Sequence, residues 1–214
     1  MKTGAMARVL AVAAVIGLAL AGFGAANAQG IAPDAAKNFI NDMGARAVGT
    51  LAKQGNIAQR NSEFAMLMVE ALDFEALALS TLGKMARTIT PADKKEFTRL
   101  FAAYVIDVAI EKFGNLQISG FGVGDVKQQP NGDVKVNTAI NRTGDKPISV
   151  DWRIRNTEGK PRINDMEIEG YSLSIHYRGE FERAGLSTVG GLIKRLQEMT
   201  KDSKAMPAVQ QAMK

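Results

Sequence analysis

Between residues 33 and 113 the apolar positions recur every three or four residues. Phe39, Ile40, Met43, Ala47 and Leu51 follow Pro33-Asp34, and Phe64, Leu67, Met68 and Leu72 form a second, less regular series. Both spacings predict helices that bury one face. Asp73 stands where an N-cap belongs before "FEALALSTL", and Gly83 where a helix-ending glycine belongs. The strongest pattern is "TITPADKKEFTRLFAAYVIDVAIEKFG". There Thr90 can cap, Pro91 suits the first helical position, and Asp93 lies three residues after the cap. Phe97, Leu100, Phe101, Tyr104, Val105, Val108 and Lys112 then share one stripe, which is apolar until its last member.

From about residue 115 the period changes from 3.6 to 2. In "VKVNTAINR", Val134, Val136, Thr138 and Ile140 alternate with Lys135, Asn137, Ala139 and Asn141. In "PISVDWRIR", Ile148, Val150, Trp152 and Ile154 alternate with Ser149, Asp151, Arg153 and Arg155. The linkers "QQPNGD", "RTGDKP" and "NTEGKP" have turn chemistry and hairpin length. The pattern predicts four strands in an antiparallel meander, roughly 116–128, 133–142, 147–156 and 161–169. Gly120 and Gly122 interrupt the first and predict a bulge or sharp coil there. After the last strand, "SLSIHYRGEFERA" and "TVGGLIKRLQEMTKD" return to helical spacing, and the tail over 203–214 reads as disordered. The class is α+β: N-terminal helices, a four-stranded meander with one apolar face, and C-terminal helices.

Residues 1–28 read as an export leader. Lys2 and Arg8 precede the apolar run "VLAVAAVIGLALAGFG", and Ala26-Asn27-Ala28 supplies the small residues that signal peptidase accepts. Cleavage after Ala28 would leave a domain over 29–202, exported and soluble. There is no cysteine, so neither a lipid-modified N-terminus nor a disulfide framework is available and the core must hold the fold. The whole chain carries +5, and losing Lys2 and Arg8 leaves a mild, dispersed charge with no arm suited to nucleic acid. Ten methionines against one tryptophan supply adaptable apolar side chains, either to an ordinary core or to an irregular apolar surface.

Catalytic chemistry is poorly supplied. One histidine and no cysteine exclude the usual zinc sites and a Cys–His pair, so no catalytic residue, metal or cofactor is expected. "GFGVG" has the wrong spacing for a dinucleotide loop. The densest polar cluster is "INDMEIEGYSLSIHYRGEFE". By parity, Asp165, Glu167 and Glu169 oppose Met166 and Ile168 and should face solvent. Gly170 turns the chain, and Ser172 can cap a helix burying Leu173, Tyr177, Phe181 and Ala184. His176 falls at that stripe's edge, within reach of Glu180. The cluster reads as a strand-to-helix corner. Whether the sheet's apolar face and the long helix pack solid or leave a cleft is open from the residues alone.

The order of motifs resembles the MlaC family of exported phospholipid-binding proteins, also described as toluene-tolerance transporter components. The matching stretches are "DFEALALSTLGKMARTITPADKKEFTRLFAAYV" (73–105), "VDWRIRNTEGKPRINDMEIEGYSLSIHYRGEFE" (150–182) and "GGLIKRLQ" (190–197). Within them stand D-F-x-x-L-A-L, T-P, E-F-x-x-L-F, W-R, I-E-G-x-S-L and Y-R-x-E-F. The resemblance implies a non-enzymatic periplasmic carrier with a phospholipid ligand in an apolar cavity enclosed by helices and sheet. The implied partners are the substrate-gathering subunit of an inner-membrane ABC transporter and an outer-membrane lipoprotein–porin complex. Expected lining residues are Phe97, Phe101, Tyr104, Val105 and Val108 from the long helix. The sheet would add Val136, Thr138, Ile140, Val150, Trp152, Met166 and Ile168. For each, core packing is the alternative. Two other readings stand beside this one. One is a carrier of a hopanoid or other sterol-like lipid. The other is a small enzyme on an apolar substrate, with Tyr104, Tyr171 or His176 as its polar group. Lys84, Arg87, Lys94 and Lys95 are candidate docking cations.

Overall fold

A computed structural model describes residues 30–114 and 116–213; the leader expected over 1–28 lies outside them. Helices α1 (Pro33–Leu51), α2 (Ile57–Ala71), α3 (Phe74–Leu82) and α4 (Pro91–Phe113) precede the sheet, with a 3-10 turn over Gly83–Arg87. Strands β1 (Ile118–Gln128), β2 (Val134–Arg142), β3 (Asp145–Thr157), β4 (Lys160–Ile168) and β5 (Tyr171–Ser172) follow. Helices α5 (Leu173–Arg183), α6 (Val189–Thr200) and α7 (Met206–Ala212) close the chain. The class is α+β, as the periodicity predicts. The expected caps are present: Asp73 Oδ1 accepts from Ala76 N at 2.9 Å, Thr90 Oγ1 from Asp93 N at 3.1 Å, and Ser172 Oγ from Ile175 N at 3.3 Å. Such a cap contributes about 1 kcal/mol to its helix.

The strands run in chain order, each antiparallel to the next. The β3–β4 hairpin turns on Glu158 and Gly159, both at positive φ, the combination that matches the right-handed twist of the flanking strands. Glu169 and Gly170 repeat it and add the two-residue β5 to the expected meander of four. Along one face, Thr138 pairs with Val150 and Val150 with Ile168, and Val136 pairs with Trp152 and Trp152 with Met166. On the other face the Lys135 ammonium lies 2.8 Å from both Asp151 and Glu167. Strand β1 shifts register between Ile118 and Gly120, at the first expected glycine, and again between Val123 and Val126, whereas Gly122, expected to interrupt the strand, pairs in register with Ala139.

Two expectations need correction. Asp165 is buried, not solvent-facing. It shares the polar face, but the return through β5 into α5 covers it, and Ser172 Oγ, Ser174 Oγ and Ser174 N bond to its carboxylate at 2.9, 3.0 and 3.2 Å. Parity could not reveal that cover. The expected tail is also partly helix. Helix α7 packs on α2 and α4 with Val209 fully buried, and Asp107 on α4 accepts from Ala205 N at 3.1 Å. Its apolar face is too short for periodicity to stand out.

Asp133, at the start of β2, ties the sheet together. Its buried carboxylate accepts from Arg155 at 2.8 and 3.0 Å, from Asn131 at 3.0 Å and from Asn164 at 3.1 Å. Burial pushes this carboxyl up, but the hydrogen bonds from Arg155 and Asn164 outweigh it and hold the group below the ordinary carboxylate range. A depressed folded value stabilises the protein above the unfolded pKa of about 3.9, and that contribution is lost as the pH falls through the folded value. Asp133→Asn is therefore expected to cost about 2 kcal/mol at neutral pH and to flatten the acid limb of stability. Urea midpoints at pH 7 and at about pH 3 check this. Equal acid sensitivity in the two proteins would contradict it.

Candidate functional site

The apolar face of the sheet and the helices over it do not meet everywhere. Between them lies a cavity of about 470 Å³, within the roughly 300–1,000 Å³ typical of small-molecule sites. Helix α1 contributes Ile40, Met43, Ala47, Val48 and Leu51, and α2 contributes Phe64, Leu67 and Met68. The C-terminal half of α4 adds Val105, Val108, Ala109, Lys112 and Phe113. The floor is Phe121 of β1, Ile140 of β2, Ile148, Val150 and Trp152 of β3, and Ile163, Met166 and Ile168 of β4. Leu173 and Tyr177 of α5 form one wall. Gly44 lets the Phe121 ring pack against α1: a Cβ there would fall 2.4 Å from the ring, which would have to move.

Of the lining residues only Lys112 is charged, and only Trp152 and Tyr177 bring another side-chain donor. The Trp152 donor is already used, since Nε1 donates to Thr138 Oγ1 at 2.8 Å, while that hydroxyl donates to Val150 O at 3.1 Å. Burial, then the neighbouring Tyr104 and Glu180, push the Tyr177 phenol well above its ordinary range, so it stays neutral. The result is an apolar interior whose charge is confined to Lys112. A closed, empty void of this size would forfeit about 11 kcal/mol at ~24 cal/mol per Å³, comparable with the whole stability of a domain.

The expected lining residues divide. Val105, Val108, Ile140, Val150, Trp152, Met166 and Ile168 line the cavity. Phe97, Phe101, Tyr104, Val136 and Thr138 do not. Phe97 and Phe101 stack at 5.8 Å and meet Tyr177 and Phe181 edge-on, a solid α4–α5 contact at the other end of the helix. Tyr104 packs on Tyr177, and burial raises its phenol. Val136 and Thr138 are fully buried, with the indole of Trp152 presented to the cavity at their level. The lining residues of α1 and α2 were legible as helical stripes, but a stripe looks the same whether it packs on core or on a cavity. Of the polar groups an enzyme would use, Tyr171 and His176 are exposed, and neither they nor Tyr104 reach the cavity. Among the described residues no group of His, Asp and Glu is placed to hold a metal. No described helix is long and apolar enough to cross a membrane. Lys84, Arg87 and Lys95 are exposed, while Lys94 is paired with Glu75 at 2.7 Å.

A helix-covered antiparallel sheet around a large apolar space defines a container. The chain belongs to the MlaC family: the family model, described as MlaC protein, matches residues 38–198. Among solved structures, a phospholipid-binding protein from Ralstonia solanacearum in complex with a phospholipid has the same fold. The TM-score is 0.68 at 19% identity, covering 78% of this chain and 97% of that one. At that identity the likeness is one of fold. No curated protein sequence matches the chain.

Thr138→Val tests the floor. It removes the acceptor of the half-buried Trp152 indole, and leaving that donor unpaired costs about 1 kcal/mol. Urea unfolding should show that loss, and Trp152 is the single tryptophan, so native emission should shift with it. Unchanged emission and stability would show that the hydrogen bond does not order the floor.

Proposed function

We propose that this protein is a periplasmic phospholipid carrier that holds acyl chains in its cavity and catalyses nothing. The observation that carries the reading is the cavity itself, apolar on every side and charged only where Lys112 stands. Family membership supports it, as does the phospholipid held by the Ralstonia solanacearum protein. The physical need is large. Exposing one acyl chain of ~15 carbons to water costs about 12 kcal/mol at about 0.8 kcal/mol per methylene, and a phospholipid has two chains. A carrier must therefore enclose them in transit and release them only while docked. In this reading the leader is removed after Ala28. The carrier exchanges lipid with the substrate-gathering subunit of an inner-membrane ABC transporter and with an outer-membrane lipoprotein–porin complex.

Trp152 makes the test direct, because it lines the cavity and is the single tryptophan. Vesicles of phosphatidylcholine with brominated acyl chains should quench its emission after separation from the protein. Mass spectrometry of solvent extracts should then give about one lipid per protein. Val108→Trp, which fills the space between α4 and the floor, should cut recovered lipid several-fold in a folded protein. A ring lipid recovered from protein made in its own periplasm would favour a sterol-like ligand. A protein that takes up nothing from vesicles would overturn the carrier reading.

A further inference from the structure

The cavity-facing stripes of two helices change character at the same end. On α4 the stripe runs Val105, Val108, Lys112, and Lys112 alone among the lining residues carries a charge. On α2 the lining residues Phe64 and Leu67 are preceded, one turn earlier on the same face, by Arg60. The two helix ends meet: a Cβ on Gly114, just past the end of α4, would lie 3.4 Å from the Arg60 Nη2. Among the described residues neither cation has a close carboxylate. There the acidic partner of Lys112 is Glu111 at 3.8 Å, with both side chains largely exposed. Arg60 makes long contacts of 3.4 Å to the Asn61 amide oxygen. The acid nearest in sequence to Arg60, Glu63, is taken up by Lys53 and Gln59.

Lys112 on the cavity wall and Arg60 beside the end of the same helix, with no carboxylate of the described residues bonded between them, form a place for an anion brought by the ligand. We infer that Lys112 and Arg60 receive the phosphate of the bound lipid and bias the carrier toward headgroups of net negative charge. This rests on the carrier reading. The acyl chains supply the free energy of binding, while the two cations decide which headgroup is tolerated. A Lys side chain suits the place because its methylene stem can lie along an apolar wall with the ammonium in water. An added choline would put a third cation beside the two, whereas a glycerol headgroup leaves the phosphate charge uncompensated for them to meet.

The test uses vesicles of equimolar phosphatidylglycerol and phosphatidylcholine, so that both lipids come from one surface and the ratio bound reports the site. The wild-type protein should hold more phosphatidylglycerol than the vesicles offer. Lys112→Gln and Arg60→Gln should each lower that ratio about three-fold, and Lys112→Glu on the order of five-fold, at unchanged melting temperature. Lys112→Arg should keep the ratio, and raising the salt to about 0.5 M should bring the wild type toward the variants. Full occupancy with a bound ratio that follows the vesicles in every protein would overturn the headgroup role and leave the carrier intact. Lower occupancy at a constant ratio would make Lys112 a wall residue and also overturn it. A wild-type protein that takes neither lipid would remove the carrier reading and this inference together.

Discussion

The aromatic contact between α4 and α5 governs the shape of the interior. Phe97, Phe101, Tyr177 and Phe181 pack as stacked and edge-to-face rings with centroids 5.3 to 6.4 Å apart. Large rigid rings in such geometry fill one end of the space without gaps. At the other end α4 presents Val105, Val108 and Ala109, which are too small to reach the sheet. The cavity is therefore not a failure of packing. It is what remains where α4 leaves its aromatic cluster and turns Val105, Val108 and Ala109 toward the sheet, ahead of Lys112 and Phe113. Tyr177 belongs to both halves, with its ring in the cluster and its edge on the cavity.

The same division explains how stability and an open interior coexist. A protein cannot leave several hundred Å³ of apolar space unfilled without compensation elsewhere. Here the compensation lies outside the cavity. Helix α6 buries Leu192 and Leu196, α7 buries Val209, and both pack on α4. The polar face of the sheet is laced by Lys135 between Asp151 and Glu167, and the start of β2 is tied to β3 by the Asp133–Arg155 pair. The end of α2 is sewn to the sheet through Asp73, whose N–H donates to Ile163 O at 2.8 Å and whose carboxylate accepts from Thr157 at 3.0 Å. Polar ties hold the periphery, so the interior can stay apolar and adaptable.

Much of the fold was legible because each element carries a local signal. Thr90, Asp73 and Ser172 announce helix starts, the strict alternation of β2 and β3 announces a half-buried sheet, and the glycines of β1 announce its irregular pairing. The site was legible only in part. Hydrophobic periodicity says that Phe97 and Val108 face inward, but not that one meets aromatic rings and the other lines a cavity. That difference depends on which side chains arrive from α5 and α1, distant in sequence. Asp165 shows the converse limit. Alternation placed it on the polar face correctly, yet its burial depends on β5 folding back over it. No single strand encodes that.

Lys112 is where the two levels meet. In the sequence it is the one polar member of the clearest apolar stripe in the chain, and helix physics would excuse it as a cation at a C-terminus, where the macrodipole favours positive charge. That reading accounts for its charge but not for its face, since any position in the last turn of α4 would serve the dipole equally. Arg60 has no such excuse. It lies near the start of α2, where the dipole disfavours a cation, and it still occupies the turn that brings it to the end of α4. The start of α2 and the end of α4 bring two cations together, one with the dipole and one against it. What the two positions share is the end of α4 that lines the cavity, and the proposed role at the polar end of a bound lipid accounts for both where the dipole accounts for one.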